Sequence, residues 1–141
     1  DLVTLARTSP IEDTLIVQLA PLGTPRLPMT TVEIGGAVSR FTFNAPLLRE
    51  LRHVEFVNEC GRRGELNGYR EIFLHRVGGD ATLGAFPASS KLDPNPALIE
   101  ALKTLGHDAM DAWLKTNFAN LGRRSTMPMD AVAPASRHPR C

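Results

Sequence analysis

Ser89-Ser90-Lys91 places a hydroxyl beside an amine, the pairing in which a lysine that has lost its proton through burial activates a serine for acyl transfer. That reaction also needs donors aimed at a developing oxyanion, and the surrounding sequence announces none, so a loop serine next to a lysine is the favoured reading. His107 and Asp111 stand one helical turn apart and could share a metal; two ligands without a third do not make a site. His53 follows Glu50 by three residues, the spacing of an ordinary helical side-chain pair. His75 lies beside Arg76 in a strand-like run, where packing or solvent is the expected use. Arg62-Arg63 and Arg123-Arg124 could touch phosphate, but the second pair falls just past a helical stretch, where the helix dipole favours cations without any ligand.

Two absences weigh more. A nucleophile elbow needs Gly-x-Ser-x-Gly, so that a strained strand-to-helix turn clears side chains from the serine. None of Ser9, Ser39, Ser89, Ser90, Ser125 and Ser136 carries those glycines. Gly78-Gly79 is followed by neither the lysine nor the helix start of a phosphate loop. Tyr69, Trp113 and Phe118 do not interleave with a basic stripe and read as core aromatics rather than platforms for nucleic acid. The residues thus assign no catalytic group, no cofactor-binding group and no metal ligand, and no cofactor is expected.

The 141 residues, 43% hydrophobic and 22% charged, fit one globular domain and exclude collagen, coiled coil and wholesale disorder. A net charge of +1 offers no field to collect nucleic acid or an anionic membrane. The longest apolar run, near Leu15, falls far short of the ~20 residues of a membrane span, and no basic-then-apolar leader opens the chain. Cys60 and Cys141 are too few for a disulfide framework, which favours a reducing compartment.

The elements that would position these side chains follow from local pattern. Thr14 to Ala20 is a short apolar, β-branched run bounded by prolines, predicting an interior strand buried on both faces, with Leu15, Ile16, Val17 and Leu19 inaccessible. Thr30-Thr-Val-Glu33 has the form of a capping box and predicts a helix from about Thr31. Its stripe of Ile34, Val38, Phe41, Ala45, Leu48, Leu51 and Val54 should pack, while Gly35-Gly36 and Pro46 predict a bend or break near Asn44 and a second piece ending near Gly61. Tyr69 to Val77 reads as a second strand ended by Gly78-Gly79. Asn95 and Pro96 supply an N-cap and first-turn proline for a helix that carries Leu98, Leu102, Leu105, Ala109, Ala112 and Thr116 to near Gly122. Residues 127–141, with three prolines and little apolar area, predict a disordered tail.

Five stretches then occur in a telling order: Phe43-Asn-Ala-Pro-Leu-Leu-Arg-Glu-Leu-Arg52, Tyr69-Arg-Glu-Ile-Phe-Leu-His-Arg76, Ser89-Ser-Lys-Leu92, Gly106-His-Asp-Ala-Met-Asp-Ala-Trp-Leu114 and Gly122-Arg-Arg-Ser-Thr126. Together they resemble the C-terminal part of bacterial patatin-like phospholipases, from about Thr14 to Thr126. The resemblance implies an α/β fold, with residues 1–126 forming the C-terminal segment of a three-layer domain of short strands and long covering helices. It also implies a parent protein that hydrolyses phospholipids or other acyl esters through a Ser-Asp dyad. The elbow serine, the oxyanion glycines and the Asp-Gly aspartate of that family have no matching positions here, and no aspartate in the chain precedes a glycine. Asp1 would then fall just downstream of the dyad, and the 141 residues alone would be inactive. Pro46 departs from the small, helix-compatible residue of relatives.

On this reading the partners are an acyl lipid or phospholipid substrate, without nucleic acid or a transmembrane segment. The location is cytoplasmic, with peripheral membrane contact open. The competing reading is a noncatalytic helical interaction module, or an acyl-binding module, using the stripe from Leu98 to Ala112.

Overall fold

The computed structural model describes residues 2–4, 12–22, 27–78, 80–84, 86, 90 and 92–128. Its elements are strand β1 (Asp13–Gln18), helix α1 (Thr31–Arg62), strand β2 (Phe73–Gly78), the single turn α2 (Asp80–Leu83) and helix α3 (Pro96–Asn117), closed by a 3-10 turn at Phe118–Asn120. The two strands pair in parallel, so the fold is α/β: a small sheet accompanied by long helices. No helix among the described residues is long and apolar enough to cross a membrane.

Local chemistry explains where the helices begin. The Glu33 amide donates to Thr30 Oγ1 (3.2 Å), and the Glu33 carboxylate accepts from the Thr30 and Met29 amides (3.1 and 2.9 Å), a reciprocal cap on α1. Asn95 Oδ1 accepts from the Ala97 amide at 2.9 Å, and Pro96 spends no donor in the first turn of α3. Gly122, with φ of +67°, ends this region in the left-handed conformation that favours glycine.

Several expectations need correction. Helix α1 runs unbroken through Gly35-Gly36 and Pro46. Pro46 and Thr42 are both exposed, so the Thr42 carbonyl that loses its helical donor can be met by water, which reduces the cost of an interior proline. Strand β1 is covered on one face only: Gln18 and Ala20 are buried, whereas Val17 and Leu19 are 65% and 71% exposed and Leu15 is also exposed. An apolar run records that both faces can be buried; what covers them lies elsewhere in the chain. Strand β2 starts at Phe73 rather than Tyr69, and a helical turn does follow Gly78-Gly79, although four residues are too few to build an anion site.

The chain clusters into two compact units, Asp1–Ile16, Ala45–Arg76 and Ala119–Cys141 in the first, Val17–Asn44 and Val77–Phe118 in the second. In the first unit Leu51 and Val54 of α1 are fully buried and share the core with Val3, Cys60, Ile72, Leu74 and Met127. Met127, where the expected tail begins, is therefore anchored, its amide donating to the Leu74 carbonyl at 3.1 Å. Residues 129–141 lie outside the described residues.

The second unit buries less. Ala20, Ala37, Val77 and Trp113 form its apolar interior, with Asn44 Nδ2 donating to the Pro21 carbonyl at 2.7 Å. Ile34, Val38 and Phe41, expected to pack, stand exposed, and so does Phe118, expected in the core. Of the α3 stripe, Leu98, Leu102, Leu105 and Ala109 are half-buried, while Ala112 and Thr116 are exposed.

Candidate functional site

Two arrangements could do chemistry, one in each unit. In the first, β1 and β2 bring Asp13 and His75 together across 62 residues of sequence: His75 Nε2 lies 2.8 Å from Asp13 Oδ1, and Nδ1 lies 2.9 Å from Thr126 Oγ1. An ionised Asp13 can only accept, so Nε2 carries the ring proton, and in the neutral ring Nδ1 accepts from the Thr126 hydroxyl. The backbone amide of Gly122 donates to both Asp13 oxygens at 2.9 Å. Leu74, next to His75, donates its amide to Ser125 Oγ (3.0 Å) and accepts from the Thr126 amide (3.0 Å).

This hydroxyl–imidazole–carboxylate order is that of an activated nucleophile. Its surroundings serve another end. The His75 side chain has no exposed surface, and the Thr126 amide is committed to the Leu74 carbonyl rather than free to meet an oxyanion. The cluster ties both strands to the segment after the 3-10 turn. The sequence held no signal for it, because Asp13, His75 and Thr126 are far apart and each is unremarkable alone.

A second buried network pins the chain before β2. Asn58 Nδ2 donates to the Ile72 carbonyl (2.9 Å), and Asn58 Oδ1 accepts from the Ile72 amide (3.0 Å) and from the Tyr69 hydroxyl. The Tyr69 ring lies flat against Gly61, where any Cβ would overlap it. Loss of solvent around the phenol, reinforced by the carboxylate of Glu71, pushes the Tyr69 pKa up to about 12. Tyr69 is the only tyrosine, so phenolate absorbance reports on it alone. In an alkaline titration it should ionise near pH 12 in the folded protein and near 10 after unfolding. Because the folded value is the higher, stability is unaffected below pH 10 and falls as pH rises from 10 to 12. A phenolate midpoint of 10 in the folded protein would contradict this burial.

The expected charged candidates find mundane partners. Arg62 bonds Glu71, Glu55 and Glu59 at 2.7, 2.9 and 3.1 Å, and Arg63 reaches Glu59 at 2.8 Å, so both are engaged by carboxylates rather than presented to phosphate. Hydrogen bonds from Arg62 and Arg63 hold the half-buried Glu59 carboxyl below its ordinary value. Arg124 Nε donates to Asn120 Oδ1, while His53, His107 and Asp111 are exposed. No group of three or more metal-ligating side chains occurs among the described residues. Ser89 and Lys91 lie outside the described residues, and the Ser90 carbonyl accepts from the Asp93 amide.

The arrangement in the second unit is a cleft of about 420 Å³, within the range of small-molecule sites. Phe43, Leu83, Leu102 and Leu105 supply its walls with Val17 and Leu19, and among the described residues no charged side chain lines it. Gly106 sits in the same lining, inside α3, and a Cβ added there would meet nothing within 4 Å. Glycine in a helix interior costs about 1 kcal/mol relative to alanine, and no neighbour among the described residues demands it here. The half-exposed stripe of α3 was legible from its spacing, but its use as a cleft wall was not.

Against models of known protein families, curated proteins and solved structures, the chain finds no match.

Proposed function

We propose that these 141 residues are the C-terminal segment of a patatin-like serine lipid acyl hydrolase, forming part of a three-layer α/β domain, and that the cleft of the second unit receives an acyl chain of the substrate. The observation that carries the reading is the cleft: among the described residues its lining is hydrocarbon apart from Gln18 and carries no charge, which suits an aliphatic chain and would penalise an ionic ligand. The order of the five resembling stretches supports it from the sequence. In this reading the nucleophile and its aspartate come from outside these residues. The segment contributes binding surface, so the remote acyl chain can lend its binding energy to the reacting ester. An acyl-binding module without catalysis would use the same cleft, and activity separates the two.

Binding of dodecanoate to the 141-residue chain, followed by calorimetry, tests the cleft. Saturable binding is expected, with Gly106→Leu abolishing it by projecting a side chain into open space. The same substitution should leave stability unchanged or raise it by up to about 1 kcal/mol, because it removes a mid-helix glycine. Equal binding by Gly106→Leu would sink the assignment. Hydrolysis of a phospholipid and a short acyl ester is expected from a longer chain of the same protein that includes an Asp-Gly and a Gly-x-Ser-x-Gly, and not from the 141 residues. Turnover by the short chain that Ser90→Ala removes would overturn the reading.

A further inference from the structure

We infer that Asn67-Gly68 is a site of spontaneous covalent modification, at which the Gly68 amide converts Asn67 to isoaspartate and thereby loosens the anchor that Tyr69 gives the approach to β2. Asn67 is the only asparagine in the chain followed by glycine. It is also the only one of the six whose side chain is not held by a hydrogen bond among the described residues. Asn44 Nδ2 donates to the Pro21 carbonyl, Asn58 clasps Ile72, and Asn117 Nδ2 donates to the Trp113 carbonyl. Asn95 Oδ1 caps α3 before a proline, which has no amide hydrogen, and Asn120 Oδ1 accepts from Arg124. Asn67 and Gly68 instead are exposed in a turn and line a surface cavity of about 160 Å³. Gly68 has φ of +67°, and a Cβ there would meet nothing within 4 Å, so its amide nitrogen stands in open surroundings.

The chemistry needs only these two residues, hydroxide and water. Loss of the Gly68 amide proton to hydroxide leaves a nitrogen that attacks Asn67 Cγ; a cyclic imide closes, the Cγ–Nδ2 bond breaks and ammonia leaves. Water then opens the ring. Addition at Cγ breaks its bond to the Gly68 nitrogen and gives aspartate. Addition at the Asn67 backbone carbonyl carbon gives isoaspartate, with the main chain rerouted through Cβ and Cγ. The sum is amide plus water to acid plus ammonia, without oxidant or reductant. The new linkage inserts an extra backbone carbon just before Tyr69, whose hydroxyl bonds Asn58 Oδ1 and whose ring packs against Gly61. Asn58 in turn holds both backbone groups of Ile72, next to the start of β2.

Ageing the 141-residue chain in mildly alkaline buffer tests the site, with peptide mapping by mass spectrometry and chromatography that separates aspartate from isoaspartate. Asn67 is expected to lose its amide at least about tenfold faster than any other asparagine, a barrier lower by ~1.4 kcal/mol. The rate should rise with pH, because the attacking amide must first ionise. Asn67→Gln should abolish modification at this position and leave the circular dichroism unchanged. The isolated isoaspartate form should show Tyr69 ionising below about 12 and a lower urea midpoint than unaged protein. Fresh Asn67→Asp, which gains the charge without the extra backbone carbon, should keep both properties of the unaged chain. An Asn67 amide as long-lived as those of Asn44 and Asn58 would overturn the site. Isoaspartate at position 67 with Tyr69 still ionising near 12, or Asn67→Asp matching its losses, would overturn the link to the anchor.

Discussion

Asn58→Ala will lower the stability of the chain by about 2–5 kcal/mol, because it strips both partners from a buried backbone unit at once. The side chain accepts from the Ile72 amide and donates to the Ile72 carbonyl, and each buried backbone group left unsatisfied costs about 1–3 kcal/mol. Water cannot substitute readily, since Asn58 is 2% and Ile72 4% exposed. The Tyr69 hydroxyl loses its acceptor in the same variant. Urea unfolding followed by circular dichroism reads the loss as a shifted midpoint with an unchanged slope. Tyr69→Phe is the internal control: Asn58 keeps both bonds to Ile72, so the expected loss is about 0.5–1.5 kcal/mol. Equal losses in the two variants would show that Asn58 acts through the phenol and not through the backbone.

His75→Phe should cost about 2–4 kcal/mol despite keeping an aromatic ring of similar size in a fully buried place. Packing is largely retained, so the loss isolates the two hydrogen bonds that hold Asp13 and Thr126. Asp13 keeps the Gly122 amide, but its carboxylate gives up a charge-assisted partner. Thr126→Val, which removes only the hydroxyl, should cost about 1 kcal/mol. A double-mutant cycle between Thr126→Val and His75→Phe then measures their coupling, expected at about 0.5–1.5 kcal/mol. Strict additivity would mean that the 2.9 Å contact contributes nothing to stability.

What could be read from the residues was what neighbours in sequence decide. Thr30 with Glu33 and Asn95 with Pro96 are self-contained caps, each satisfying donors within three residues, so both helix starts were legible. The strand at β1 was legible from its apolar, β-branched run, but its burial was not. Coverage of Val17 or Leu19 depends on groups distant in sequence. Pro46 was misread because a proline's cost depends on the solvent around the orphaned Thr42 carbonyl, which local pattern does not report. The cleft failed to announce itself for a related reason: Leu102 and Leu105 look the same in a stripe whether they meet a core or an open space.

The hydrogen bond from Gly122 to Asp13 spans 109 residues, which has a consequence for the order of events on the ribosome. At ordinary rates of synthesis, Asp13 leaves the peptidyl-transferase centre about 5–20 s before Gly122 is joined. During that interval β1 has its backbone but not the clasp that holds it, and even β2 arrives only 62 residues after Asp13. Leu15, Val17 and Leu19 are then apolar groups on a nascent strand without its partners, the kind of surface that holdase chaperones retain. Gly122 to Thr126 thus act as a latch that closes late. A ribosome stalled before Gly122 would present a chain with both strands complete and the latch still missing.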